Sequence, residues 1–266
     1  MVKKYNLAPE DFVIVTEPSY GEKRVVAGFS EKEIRETEER LGVQIPSAYR
    51  HYLKVCGKAS LNQELHRLLP PSEKGFGICF SYDLIQTCIE EEWLSEWEEE
   101  GPDPENPFYQ IYQLPREEWG KITENYLVIW IENQGCFHAG IRVEDLNQDN
   151  PPVYITTDDS YFEWQQISNS TQSFLLSMLM EAVYYRADDT LEGDEKIQKY
   201  FQENEVDTKE LLPKEAPFLC SYIRTFLDAS KHVFGLYLLE NENGTKPAKL
   251  HLFKLPDGLM LPVNWD

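Results

Sequence analysis

The chain has 266 residues, 41% hydrophobic and 13% aromatic, enough apolar side chain to bury a core and to exclude wholesale disorder. Its 47 acidic residues against 25 basic ones leave a formal charge of -22, and no cationic cluster exceeds a pair such as Lys3-Lys4 or Lys23-Arg24. Nucleic acids and anionic membrane surfaces both require cations laid against phosphates, so neither is expected as a ligand. The balance suits a basic protein partner, although acidity also serves solubility alone.

In chain order, Phe12 to Thr16 (FVIVT) predicts a strand, with a turn over Pro18 to Gly21. Two short helices with a corner between them follow, over Phe29 to Gly57. Ser30 and Glu33 form a capping box, and Phe29 can staple onto Ile34. Ile34 and Leu41 share a face, and Gly42 ends the first helix. Pro46 fits the first turn of the second helix, whose apolar stripe is Tyr49, Tyr52, Leu53 and Cys56 before the stop at Gly57.

Leu61 to Ser81 reads as irregular, closing on a short strand over Gly77 to Ser81. Asp83 can cap a helix running through Leu84, Ile85, Cys88 and Ile89 into Trp93, Leu94 and Trp97. Nine acids and no base lie between Glu90 and Glu105: Glu90, Glu91, Glu92, Glu96, Glu98, Glu99, Glu100, Asp103 and Glu105. Pro102, Pro104 and Pro107 then enforce an extended exit.

Tyr126 to Ile131 is nearly all apolar, the pattern of a strand covered on both faces. Asn133-Gln-Gly135 turns the chain into a returning strand over Cys136 to Val143, so the pair predicts a hairpin. Val153 to Thr156 and Trp164 to Ile167 are further extended pieces, and Phe174 to Tyr185 is an apolar helix. Asp188 to Glu195 is acidic and turn-rich, a linker by composition. Helices are expected over Glu195 to Gln202 and over Pro217 to Ala229, where Phe218, Tyr222 and Phe226 recur at i, i+4 and i+8. Val233 to Leu239 and Lys249 to Leu255, joined around Asn243-Gly244, predict a second hairpin.

The pattern Ile34-x3-Glu38-x2-Leu41-Gly42-x2-Ile45-Pro46-x2-Tyr49-x2-Tyr52-Leu53-x3-Gly57 resembles the N-terminal signature of the SUKH superfamily. The later order of strand, Gly-containing turn, strand, strand ending in Asp, tryptophan and helix is similar to it too, so the resemblance spans roughly Ser30 to Arg186. That superfamily includes bacterial immunity proteins, which neutralise polymorphic toxins, and fungal cell-wall-assembly regulators. The chain departs from it at Cys56-Gly57, where Asn-Gly is more usual, and in a long acidic insert between Leu61 and Asn125.

The resemblance implies an α+β fold, with a mostly antiparallel sheet packed by helices over residues 30–187. Residues 1–29 would be a lead-in containing the strand, and residues 188–266 a small docked α+β extension. Glu38, Pro46, Tyr49, Gly57, Gly135 and Trp164 match positions that look architectural in that superfamily, with Glu38 holding the helix corner through an ion pair or hydrogen bond.

Catalytic chemistry is not expected. The chain has no Gly-x-Ser-x-Gly elbow, dinucleotide fingerprint or P-loop, and its histidines (His51, His66, His138, His232, His251) are scattered. Asp158-Asp159 reads as a turn capping its own backbone rather than a metal pair. Five cysteines without CxxC spacing argue for reduced thiols and against a zinc site. No apolar run suits a signal peptide or a membrane span of about 20 residues, so a cytoplasmic protein without cofactor or metal is expected.

Two readings stand for the acidic run. Trp93 and Trp97 can turn into a core and leave the glutamates in water. Alternatively they are aromatic anchors ringed by carboxylates, a recognition surface for a basic toxin domain such as a nuclease. The resemblance favours the second reading, and with it inhibition by stoichiometric occlusion. A non-catalytic regulatory scaffold is the alternative.

Overall fold

The computed structural model describes residues 8–16, 27–62, 66–68, 71, 79–80, 99, 101, 103–105, 109, 113–119, 124–132, 137–157, 163–183, 189–204, 212–214, 222–228, 233–239 and 249–254. The chain divides into two compact units. One comprises Ala27–Lys58 with Asn62–Phe174, and the other Met1–Val26, Ala59–Leu61 and Leu175–Asp266. Both are mixtures of helix and antiparallel sheet, so the fold is α+β.

The first unit begins with the helix corner. Helix α2 runs Glu31–Leu41 and α3 runs Ser47–Cys56. Ser30 caps α2, with the Glu33 N–H donating to its hydroxyl at 3.3 Å and Glu33 Oε2 accepting from the Ser30 N–H at 2.7 Å. Gly42 ends α2 in the left-handed region, φ 68°. Ile34, Tyr49, Tyr52, Leu53 and Cys56 are buried, the stripe expected from their spacing.

Strands β1 (His66–Leu68), β2 (Cys79–Phe80), β3 (Tyr126–Glu132), β4 (Phe137–Arg142), β5 (Val153–Thr157) and β6 (Gln165–Ser168) make an antiparallel sheet. Its order is β1-β3-β4-β5-β6, with β2 also pairing β3. The hairpin of β3 and β4 forms as its apolar runs dictate, and every residue from Leu127 to Ile131 is buried. Strand β1 falls within a stretch whose sequence reads as irregular; three residues are too short for any periodicity to register.

Register sorts the sheet into two faces. Leu127 pairs Ile141, and Trp130 pairs Ala139, which pairs Ile155. On this face the Trp130 ring lies edge to face, at 6.1 Å, with that of Phe174 in the first turn of helix α4 (Thr171–Val183). On the other face Tyr126 pairs Arg142, Val128 pairs Gly140, and Gly140 pairs Tyr154. The division between the two units falls at Phe174 and Leu175, within α4.

The second unit has the sheet order β7-β11-β10-β9-β8, built from Asp189–Glu192, Lys249–Lys254, Val233–Leu239, Tyr222–Asp228 and Leu212–Lys214 respectively. Helix α5 (Asp194–Glu203) buries Ile197 and Phe201. The hairpin of β10 and β11 follows its sequence signal.

Three local expectations are corrected. The FVIVT segment is not a strand but lies in helix α1, Pro9–Thr16. A five-residue apolar run fits either state, and Pro9 supplies the pre-set φ of a first helical turn. The helix expected over Pro217 to Ala229 is strand β9 from Tyr222 to Asp228, paired along its whole length with β10. A recurrence at i, i+4 and i+8 is also an even-numbered recurrence, so it marks one face of a strand as well as of a helix. The acidic linker is strand β7 from Asp189 onwards, because Lys249 pairs it and its ammonium meets Glu192 at 2.7 Å.

Candidate functional site

The corner between α2 and α3 is fixed by one carboxylate. Glu38 Oε1 accepts the Ile45 N–H at 2.9 Å and Arg50 Nη1 at 2.6 Å. The Glu38 backbone carbonyl accepts the Val43 N–H at 3.1 Å. Arg50 also donates to Glu31. Burial works against the charge on Arg50, and the bonds to Glu38 and Glu31 more than offset it, so its pKa is raised.

Glu31, bonded to Arg50 and Lys54, has its pKa lowered to about 2, and Glu33, bonded to Lys58 and Ser30, likewise to about 2. Pro46 stands at the N-cap of α3, Tyr49 is fully buried, and Gly57 closes the helix with its N–H on Leu53 O. These four signature positions, Glu38, Pro46, Tyr49 and Gly57, therefore belong to a single corner.

A strap that sequence reasoning missed locks the end of α3. The Phe29 N–H donates to Leu53 O at 2.9 Å and the Lys58 N–H to Ala27 O at 2.8 Å. Gly28 passes so close that a Cβ there would sit 1.8 Å from Lys54 O. A lone glycine before a helix cap carries no signal of such an approach.

Trp164 lies elsewhere, on the sheet face opposite Trp130. Its ring stacks on Tyr126 with centroids 4.0 Å apart and planes 11° from parallel. It packs on Val128 and Ile131 and passes over Gly140, where a Cβ would come within 3.3 Å of it. Tyr154 meets Tyr126 edge to face at 5.7 Å, and the Arg142 guanidinium sits 4.6 Å over the Tyr154 ring. Arg142 is held by Glu144 at 2.9 Å and Asp145 at 3.1 Å. Sequence parity could have placed Tyr126, Arg142 and Tyr154 on one face, given the register; the register itself was not readable.

Of the acidic run, Glu99, Asp103 and Glu105 are exposed, and the Glu105 N–H donates to Asp103 Oδ1 at 2.9 Å. Glu90, Glu91, Glu92, Trp93, Glu96, Trp97, Glu98 and Glu100 lie outside the described residues, as do Gly135 and the Asp158-Asp159 pair. His51 is exposed on α3, His138 is half-buried on β4, and His251 is buried on β11. Among the described residues, no group of three or more His, Cys, Asp or Glu is placed to hold a metal ion, and no helix is long and apolar enough to cross a membrane.

No curated protein and no solved structure matches the chain. A family model does match, over the helix corner, the sheet and the start of α4: residues 28–177 fit the SMI1 / KNR4 family (SUKH-1), more than half of the 266 residues, and the chain belongs to that family.

Proposed function

We propose that the chain is an immunity protein that neutralises a basic toxin domain, a nuclease being the best fit, by binding it one to one and covering its active site or substrate groove. It does this without chemistry of its own. Proteins of this family bind partner proteins in immune or regulatory roles, which gives the coarse frame. The observation that carries the finer reading is the charge. With 47 acids and 25 bases, the chain carries 22 more carboxylates than cations. Many bases are already taken: Lys32, Arg35, Arg50, Lys54, Lys58 and Arg142 each sit in an ion pair in the first unit. The surplus of negative field favours fast encounter with a cationic partner and opposes nucleic acid. In this reading the acids from Glu90 to Glu105, with Trp93 and Trp97, steer and anchor the toxin.

Affinity capture from the source cells, with elution by rising salt, tests it. The expected result is one basic protein, bound one to one, whose toxicity in a heterologous host is abolished by co-expression of this chain. Replacing the nine acids between Glu90 and Glu105 by their amides should then slow association at low salt by tenfold or more. Several neutral partners whose activities survive binding would replace this reading with a regulatory scaffold of the fungal type.

A further inference from the structure

We infer that the half-buried patch of Tyr126 and Trp164 is a second contact surface, one that receives an arginine-bearing loop of the basic partner; this rests on the reading of the chain as a binder of a basic protein.

The patch combines the residue types that dominate binding hot spots. Tyr126, Trp164, Tyr154 and Arg142 are packed against one another over three adjacent strands, and Tyr126 and Trp164 are only half-buried. Beside them Val143 is 40% exposed, the large exposed hydrophobic among the described residues. The stack is held from beneath by buried Val128 and Ile131, so the aromatic surface is rigid before any partner arrives.

The rim gives the sign of the guest. Glu144 is 70% exposed beside Arg142. The Val143 N–H donates to Asn125 O at 2.9 Å, which brings exposed Glu124 to the same edge. Glu163, also exposed, adjoins Trp164 in the chain. The Arg142 guanidinium is already paired to Glu144 and Asp145, and exposed Glu124 and Glu163 flank Tyr126 and Trp164 in the chain, so carboxylates outnumber the one cation here. An aromatic platform with a net negative rim suits a guanidinium that lies flat on a ring and reaches a carboxylate with its edge. An acidic or phosphorylated guest would meet like charge.

The test uses the full chain labelled with 5-fluorotryptophan, Trp164 being assigned by loss of its fluorine signal in Trp164→Phe. The probe is a hexa-arginine peptide at physiological salt, with hexa-glutamate as the control. The expected result is a saturable shift of the Trp164 signal with hexa-arginine alone. In the double variant Glu144→Gln, Glu163→Gln, affinity read at Trp164 should fall threefold or more, while shifts at other tryptophans persist. A Trp164 signal that does not move, or that moves equally in the double variant, overturns the inference. Neither of those results bears on whether capture yields a one-to-one toxin partner, so the two readings fail separately.

Discussion

Arg50 on α3 and Glu38 on α2 are joined by a 2.6 Å hydrogen bond, and the same Glu38 oxygen also accepts the Ile45 N–H at the entry to α3. A single carboxylate therefore fixes both the spacing of the two helices and the direction of the chain between them. Its side chain is 16% exposed, so the bonds operate mostly out of water.

Removing it should be costly out of proportion to its size. Glu38→Ala leaves Arg50 half-paired and the Ile45 N–H without its acceptor, for a loss of about 2–3 kcal/mol. Glu38→Gln keeps an acceptor but no charge and should lose about 1–2 kcal/mol. Glu39→Ala, on the exposed side of the same helix, should stay within about 0.5 kcal/mol of wild type. Urea titration of the three variants checks the ranking; equal losses at positions 38 and 39 would reduce the corner bond to decoration.

The glycines around the corner should separate by mechanism. Gly28→Ala drives a Cβ to 1.8 Å from the Lys54 carbonyl, backbone against backbone, and should prevent the strap from docking. Gly57→Ala places its Cβ 2.6 Å from Leu53 O and 2.7 Å from the Phe29 ring, and should cost about 2–3 kcal/mol through forced repacking. Gly42 has open space but φ 68°, so Gly42→Ala should cost only about 1 kcal/mol, from backbone conformation alone. Thermal melts of the three should fall in that order, Gly28→Ala lowest. A Gly28→Ala protein as stable as Gly42→Ala would contradict the strap.

The corner was legible because its signals are local: a cap, a box partner three residues on, a terminating glycine, and a stripe at helical spacing all agree within thirty residues. The strap at Gly28 was not, since nothing in the neighbours of a glycine reports which distant carbonyl it will touch. The hairpins β3–β4 and β10–β11 announced themselves through apolar runs and turns, whereas β7 and β9 did not. Lys249 opposite Glu192, and Tyr222 to Asp228 opposite β10, are facts of pairing, and pairing lies outside any single window of sequence. The aromatic cluster failed to register for the same reason: Tyr126, Arg142, Tyr154 and Trp164 become neighbours only once strand register is set.

Trp130 offers a test of the core of the first unit. It is fully buried against Phe174, and its indole N–H has no hydrogen-bond partner among the described residues. A buried donor left unpaired already costs the fold about 1–3 kcal/mol, so Trp130→Phe should recover much of what its smaller ring loses and fall within about 1 kcal/mol of wild type. Trp130→Ala, which empties the site, should lose about 3–5 kcal/mol. Paired urea titrations decide between the two terms. A Phe variant as damaged as the Ala variant would mean that ring volume, not the orphan donor, governs the position.

His251 on β11 should make stability fall in mildly acidic solution. Burial, then the positive charge of Lys249, lower its pKa to about 4, with Glu192 opposing; its Nδ1 lies 3.1 Å from Thr190 Oγ1. The folded chain thus holds this imidazole neutral while the unfolded chain protonates it near pH 6.5. Stability from this group is complete above pH 6.5 and is lost as pH falls from there towards 4, because the unfolded state then binds the extra proton. A loss of about 1–2 kcal/mol between pH 7 and pH 5 is expected after allowance for partial solvent access. Glu31 and Glu33, held near 2, have their stabilising effect from pH 4.5 upward and lose it only below, so they leave this window untouched. Unfolding of wild type and His251→Phe, each followed at pH 7 and pH 5, isolates the effect. The wild type should lose the larger amount, and parallel losses in the two proteins would place the titration elsewhere.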